Sequence, residues 1–459
     1  MIRKIYACRR WMNRVKTHVS TPQIIAVAFA LIILTGTLLL MLPISSRSGV
    51  GCDFRPALFT ATSATCVTGL VLFDTWTQWS AFGQIVILCL IEVGGLGFMS
   101  AMSVFVFMLR RKVGLKQRLV MAQAMSVNDV HGIMRLQKLV LFGSLSLQGA
   151  GALILTLRFW PELGLAKGLQ WGIFHSVSAF CNAGFDIMGC FDPGMSVMRY
   201  RTDPVVNLTL MTLIVVGGLG FFVWDEVLER RTFKKFSVYS KLVLTITGIL
   251  IVGGTVLIAA IEWNNPDTLG GQPWYDKLQM AAFQSVSLRT AGFAGLDQGK
   301  LTDAGKAVSI ALMLIGGSSG STAGGVKTVT VVVMLMYLAA RARGRENVTV
   351  YKRTIPNYQA LDAMIITMIM VMLTFFGGIY ISVTSGFSLV DALFETASAL
   401  ATVGLSAGGS GNLSVSSQFL IILFMYFGRV GVLTISLGFL MGNRVQERFR
   451  YAQTKLLIG

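Results

Sequence analysis

The sequence predicts an all-α polytopic membrane protein: four parallel span–pore-loop–span repeats, eight transmembrane helices in all, around one pseudo-four-fold pore. Three observations lead there. The chain of 459 residues is 54% hydrophobic and only 13% charged, where soluble domains carry about a quarter charged residues. Apolar runs long enough to cross about 30 Å of hydrocarbon recur from end to end. A pair of glycine motifs also recurs four times at a near-constant interval, and internal repeats of this kind organise everything else.

Spans are expected at 24–43, 81–109, 138–158, 205–228, 241–262, 306–338, 360–384 and 416–442. The first follows basic residues as in a signal peptide. It is too long for a signal peptide's apolar core and lacks a small-residue cleavage site, so it reads as a retained span. The chain divides into a basic N-terminus (1–22), repeats at 23–112, 113–236, 237–345 and 346–443, and a basic C-terminus (444–459).

The net charge of +18 follows topology. Clusters at Arg3–Lys16, Arg110–Lys138, Arg230–Lys241, Arg341–Arg353 and Arg444–Lys455 hold 27 of the 39 Lys and Arg. The segments 44–80, 158–204, 262–306 and 384–416 hold 10 basic and 13 acidic residues. This alternation is the positive-inside pattern and predicts that both termini are cytoplasmic. The basic surplus then reads as topology, anionic-lipid contact and docking of a cytoplasmic partner, not as nucleic-acid binding. Histidines 18, 131 and 175 are scattered, and the six cysteines form no C-x-x-C pair. Neither a metal centre nor a disulfide framework is expected. Cys52 and Cys190 both fall in external segments and form the one candidate bridge.

Each external segment contains a second apolar stretch too short to span: "PALFTATSATCVTGL" (56–70), "WGIFHSVSAFCNAGFD" (171–186), "LQMAAFQSVSLRTAGFAGL" (278–296) and "DALFETASALATVGLSAG" (391–408). All share Phe and Ser on a helical stretch, then a polar tract with one glycine. Those glycines, Gly69, Gly184, Gly292 and Gly404, lie 115, 108 and 112 residues apart. The spans that follow carry "VGGLGF" (93–98 and 216–221), "IGGSSG" (315–320) and "FGRVG" (427–431).

Non-helical backbone survives inside a bilayer only when buried in protein or lining a water-filled path. Four such loops entering from one face can surround an axis, where backbone carbonyls replace the hydration shell of a cation. Glycine permits the required backbone angles, and the negative helix ends point inward. The alternative is that the glycines mark only helix packing and turns. Four loops in register favour the pore.

The stretch "IGGSSGSTAGGVKT" (315–328) superficially resembles a phosphate loop. Gly320 and Gly325 have the right spacing, but Val326 separates Gly325 from Lys327 and no strand precedes. It is not a soluble linker either, since apolar runs flank it. It is expected to be the one broken span among the four glycine-bearing spans.

"TATSATCVTGL", "SAFCNAGFD", "SLRTAGF" and "ATVGLSAG", with "GRVG" in the last span, resemble the Trk/Ktr/HKT superfamily of potassium transporters, and most of all the membrane subunit of bacterial Ktr systems. The likeness covers residues 20–459. It implies potassium uptake across the bacterial cytoplasmic membrane, with potassium as substrate and sodium as a candidate coupling or regulatory ion. It places a selectivity filter at Thr65, Cys66, Val67, Thr68 and Gly69; at Cys181, Asn182, Ala183 and Gly184; at Arg289, Thr290, Ala291 and Gly292; and at Ala401, Thr402, Val403 and Gly404. Potassium would bind at the four glycines. Sodium-preferring plant members carry serine at the first of them, so Gly69 argues for potassium.

The gate implied by the likeness comprises Gly316, Gly317, Ser318, Ser319, Gly320, Ser321, Thr322, Ala323, Gly324, Gly325 and Lys327, with Arg429 projecting toward the pore. An arginine in a span needs a partner or water. Lys327 is expected to form an ion pair at the cytoplasmic mouth or to snorkel. Glu92 is a candidate support for the site, while Asp225 and Glu226 are expected to face polar loops. The resemblance further implies a homodimer with one pore per protomer, docked on a cytoplasmic ring of nucleotide-binding (RCK/KTN-type) regulatory subunits. No cofactor is expected in this chain. A second reading is a secondary transporter of another cation or small solute built from discontinuous helices. Such folds usually use inverted repeats, and these repeats run parallel. No convergent His, Cys or carboxylate set suggests an enzyme.

Overall fold

The computed structural model describes residues 21–97, 133–191 and 193–431. The basic N- and C-termini, the 110–132 part of the second basic cluster and the far ends of the second and eighth expected spans lie outside the described residues.

In chain order, α1 (Thr21–Leu40) is followed by α2 (Phe54–Thr65) and α3 (Ala81–Leu96). Next come α4 (Ile133–Leu163), α5 (Leu165–Phe180), α6 (Pro204–Leu219) and α7 (Phe221–Arg230). The third group is α8 (Val238–Glu262), α9 (Trp274–Ser287), α10 (Asp303–Leu314) and α11 (Thr328–Ala342). A hairpin of β1 (Val348–Val350) and β2 (Arg353–Ile355) precedes α12 (Asn357–Ser385), α13 (Leu389–Leu400) and α14 (Val415–Val430). The molecule is therefore mostly helical. The hairpin departs from the all-α expectation, because alternate Val348 and Val350 bury one face against Leu242.

Among the described residues, α1, α4, α8 and α12 are long and apolar enough to cross a membrane. Their outer faces keep large apolar side chains exposed, such as Leu38, Leu153, Val252 and Phe376, as lipid contact requires. These are the odd-numbered expected spans.

Of the even-numbered ones, the fourth and the sixth are not continuous. Helices α3, α6 and α14 stop at Gly97, Gly220 and Gly431, whose φ/ψ pairs are 83°/144°, 94°/140° and 92°/128°. A Cβ forbids that backbone. At Gly220 the chain turns by 93° from α6 into α7. The expectation of a single break, at 315–328, is thus corrected: the fourth span breaks as well, at one residue. The sixth span opens into the loop 315–327 between α10 and α11.

Helix starts follow local sequence. Ser80, Asp203, Ser237, Thr302, Ser388 and Ser414 each accept a hydrogen bond from a backbone amide of the first turn with their side chains, which satisfies donors that a helix leaves free. The centre is formed by the short helices α2, α5, α9 and α13. Every residue in 59–70, 178–185, 283–293 and 394–403 is buried.

Candidate functional site

Helices α2, α5, α9 and α13 end in C-caps at Cys66, Cys181, Leu288 and Ala401. The chain then turns through one left-handed residue that is not glycine: Val67 (φ 57°), Asn182 (59°), Thr290 (62°) and Thr402 (53°). Such angles cost on the order of 1 kcal/mol or more each and persist only where neighbours hold them. The holders are backbone bonds into the helix end. Thr68 N, Ala183 N and Val403 N donate to the carbonyls of Ser63, Ser178 and Ser398, all at 2.8 Å, and Ala291 N donates to Ser287 O at 3.0 Å.

Two residues later comes the glycine. A Cβ built on Gly69 falls 2.5 Å from Ala183 O; on Gly184, 2.7 Å from Ala291 O; on Gly292, 2.4 Å from Val403 O; and on Gly404, 2.1 Å from Thr68 O. Each glycine abuts the carbonyl before the next glycine, and the fourth abuts the first. The ring closes. Any side chain at these positions strikes backbone, which cannot move aside cheaply. The tracts also bring together hydroxyls. The Oγ1 atoms of Thr65, Thr68, Thr290 and Thr402 are buried without a protein partner.

On one side of the ring a cavity of about 380 Å³ is lined by all four glycines and by Asp74 and Asp186. Asp74 accepts from Thr77 N at 2.9 Å and Gly194 N at 3.2 Å. Asp186 accepts from Met188 N at 3.1 Å. Burial pushes its carboxyl up to about 6, with the Met188 amide pulling against it and the Asp74 charge adding to it.

On the other side lies the loop 315–327. A Cβ on Gly324 falls 2.0 Å from Thr402 Oγ1, and one on Gly325 falls 3.1 Å from Ala401 O, so glycine lets the loop press against the start of the fourth tract. The loop is tied on every side. Ser318 N and Thr322 N donate to Gly218 O and Gly217 O at 3.1 and 3.3 Å, and Phe221 N donates to Gly320 O at 2.9 Å. Thr322 Oγ1 donates to Phe180 O at 3.1 Å and Tyr239 Oη to Ser319 O at 3.0 Å. Gly316 N closes the neck by donating to Val326 O at 2.8 Å.

Arg429 is the cross-brace. Its guanidinium donates to Thr322 O in the loop and to Gly94 O and Gly95 O at the end of α3. Aligned by motif, it stands where the first two copies carry Gly95 and Gly218. Lys327 has no ion pair among the described residues; its Nζ donates to Ala323 O at 2.8 Å within the loop. Glu92 lies behind the second tract, accepting from Cys181 Sγ at 3.3 Å and Gln148 Nε2 at 2.9 Å. Glu226 accepts from Ser237 and Ser240 at the start of α8, and Asp225 pairs with Arg135 at 3.7 Å. Cys52 and Cys190 are free thiols, so the candidate bridge does not form.

A closed ring of backbone carbonyls and hydroxyls suits a hard cation. The TrkH family model, described as a cation transport protein, matches residues 3–446. The chain belongs to the TrkH family. That family is one of cation transporters, not of enzymes.

Two relatives cover nearly the whole TrkH-family chain. The potassium/sodium uptake protein NtpJ of Enterococcus hirae is 37% identical, over 97% of this chain and 99% of its own. The Ktr system potassium uptake protein B of Bacillus subtilis is 38% identical, over 95% and 96%. The crystal structure of the potassium transporter TrkH from Vibrio parahaemolyticus matches with a TM-score of 0.70 at 18% identity, covering 91% of this chain and 84% of that one. At that identity the match speaks for the fold alone.

All four sequence-predicted tracts meet at the ring, and the loop 315–327 and Arg429 meet beneath it. Arg289 sits in the third tract, 7% exposed, with Nε unpartnered. Sequence reading missed the serines that hold the tracts. Ser63 and Ser398 accept from Gly69 N and Gly404 N through Oγ, both at 3.0 Å. Ser178 and Ser287 donate to Phe185 O and Phe293 O at 2.7 and 2.6 Å. The signal was present: a serine precedes each glycine by six residues, or by five in the third copy, where the tract is one residue shorter.

Proposed function

We propose that this chain takes up potassium through the ring of Gly69, Gly184, Gly292 and Gly404, with the loop 315–327 as its gate and Arg429 as the gate's latch. The observation that carries this is the closure of the ring, with each glycine set against the neighbouring carbonyl. Such a ring offers backbone oxygens from four directions at one level, at a place where four threonine hydroxyls lack protein partners. Hydroxyls sealed in protein without a partner cost about 1–3 kcal/mol each; a cation or its water passing along the axis removes that cost. Two relatives bearing the names of potassium uptake proteins support the choice of ion.

The finer architecture belongs to the same proposal. Four span–pore-loop–span repeats supply eight spans, the fourth bent at Gly220 and the sixth opened at 315–327. Both termini lie in the cytoplasm of a bacterial cell, as the charge alternation indicates. Two protomers pair, each with its own pore, and a nucleotide-binding ring docks on the cytoplasmic face. Sodium acts as a coupling or regulatory ion, in keeping with one relative's name.

The test is rubidium and sodium uptake into liposomes holding the purified chain. Gly69→Ser places a side chain against Ala183 O and is expected to raise sodium flux relative to rubidium about tenfold, roughly 1.4 kcal/mol of selectivity. An unchanged ion ratio in a folded variant removes the ring from the selectivity path.

A further inference from the structure

The turn between α7 and α8 is strongly basic. The segment 230–241 reads RRTFKKFSVYSK, with five basic residues and no acid. Its frame is held from within. Arg230 pairs with Glu226 at 2.9 Å and donates to Lys235 O at 2.7 Å. Lys241 Nζ donates to Lys234 O at 2.8 Å, and Glu226 binds Ser237 through both its amide and its hydroxyl. With the backbone thus satisfied, Arg231, Lys234 and Lys235 are exposed and have no ion pair among the described residues. Phe233 stands 46% exposed between them, edge-on to Phe236 with ring centroids 5.9 Å apart.

Unpaired cations interleaved with an exposed aromatic, at the end of an apolar helix, match the boundary between headgroups and acyl chains. The ring enters the interface and the cations meet phosphate. The same turn reaches the gate. Ser237 caps α8, and two residues later Tyr239 Oη donates to Ser319 O in the loop 315–327.

We propose that residues 231–236 bind anionic phospholipid of the inner leaflet, and that the bound lipid biases the loop 315–327 through α8 and Tyr239. This rests on the gate and on the cytoplasmic placement of the turn given above. Charge complementarity singles out lipid: the surface is a preformed, acid-free cation cluster around a ring that water disfavours. A protein partner would be expected to pair the cations with carboxylates and to act in detergent as well.

The full chain is tested in two ways. Native mass spectrometry of protein taken from mixed phosphatidylglycerol and phosphatidylcholine reads lipid retention without reference to transport. Lys234→Gln with Lys235→Gln should lower phosphatidylglycerol retention roughly fivefold per lost charge, leaving phosphatidylcholine unchanged. Rubidium uptake is then measured in vesicles of phosphatidylcholine with or without a third phosphatidylglycerol. The wild-type chain should gain severalfold from the anionic lipid, and both the double variant and Tyr239→Phe should lose that gain; the double variant should match wild type in neutral vesicles. Tyr239→Phe alone should keep full retention. Unchanged retention in the double variant overturns the site. Retained lipid with an undiminished flux gain in Tyr239→Phe overturns the link to the gate. A double variant that changes flux only when a cytoplasmic protein is added assigns the surface to that protein and overturns the proposal. Failure of rubidium uptake in every membrane would strike the transport reading, and the retention result would stand apart from it.

Discussion

Three of the glycine-bearing helices end at a single positive-φ glycine, while the third opens into a loop of thirteen residues, 315–327. Gly97, Gly220 and Gly431 adopt nearly the same φ and ψ. Three residues before each, another glycine packs on the end of its own short helix: a Cβ on Gly94, Gly217 or Gly428 falls 2.0, 2.1 or 2.2 Å from Thr65 O, Phe180 O or Leu400 O. These three helix ends are set by a direct backbone contact. The loop 315–327 is held instead by separate hydrogen bonds from α6, α7, α8 and α14. One kind of break is a fixed joint, and the other is a segment whose position depends on several bonds that can be made or released. The proposed gate is the one break held by hydrogen bonds from several elements.

That contrast can be broken most directly by deleting Gly316–Gly325. Flux through the purified chain is expected to rise roughly tenfold, since about 1.4 kcal/mol of closed-state bias suffices for that shift. A folded deletion with lower flux makes the segment structural. Next, Arg429→Gln frees the carbonyls of Thr322, Gly94 and Gly95. Charge-assisted hydrogen bonds are each worth about 1.5–3 kcal/mol, so uptake should rise severalfold while the size of the detergent-solubilised particle stays constant. A changed particle size with constant uptake would make Arg429 an assembly residue.

The fixed joints should answer differently. Gly220→Ala forces a side chain into positive φ and sets its Cβ 2.8 Å from Ser319 O. Gly97→Ala meets the same backbone strain, with no described atom within 4 Å. Each should lose about 1–3 kcal/mol, with the larger fall in Tm at Gly220; equal falls would remove the loop's share in that joint.

The smallest effect concerns the vestibule. With its carboxyl near 6, Asp186 is ionised at pH 7 and neutral at pH 5. Acidification removes a negative charge that attracts cations, so the apparent KM for potassium should rise about two- to threefold. Asp186→Asn should show the high value at both pH values, and a persisting pH dependence would assign it elsewhere.

Much of this was legible in the sequence. The long helices were found to within a few residues because twenty or more apolar residues leave little choice in a bilayer. The four tract glycines were found by their spacing, and the loop 315–327 by its small residues between apolar walls. What escaped depended on a third dimension. Gly220 sits in the same "VGGLG" as Gly97, and nothing in the letters says that the chain turns there by 93°. The partners of Lys327 and Glu92 come from residues brought near only by folding. The tract serines were visible as a shared letter, but their role required knowing which amides face them. The hairpin 348–355 was hidden because two strands of three residues carry almost no periodicity.

Arg429 stands at a position that the first two copies fill with Gly95 and Gly218. In an assembly of four identical chains, that choice would be unavailable: one arginine would mean four, crowded around one axis. Two unit charges about 8 Å apart repel by about 2 kcal/mol at an effective dielectric constant of 20, and four around an axis make four such pairs and two longer diagonal ones. Writing the four quadrants into one polypeptide removes that constraint, because each can be edited alone. A single charge, a single loosened turn and a single shortened tract can then share a ring whose backbone remains nearly four-fold. The asymmetry is information that a symmetric oligomer has no means to store.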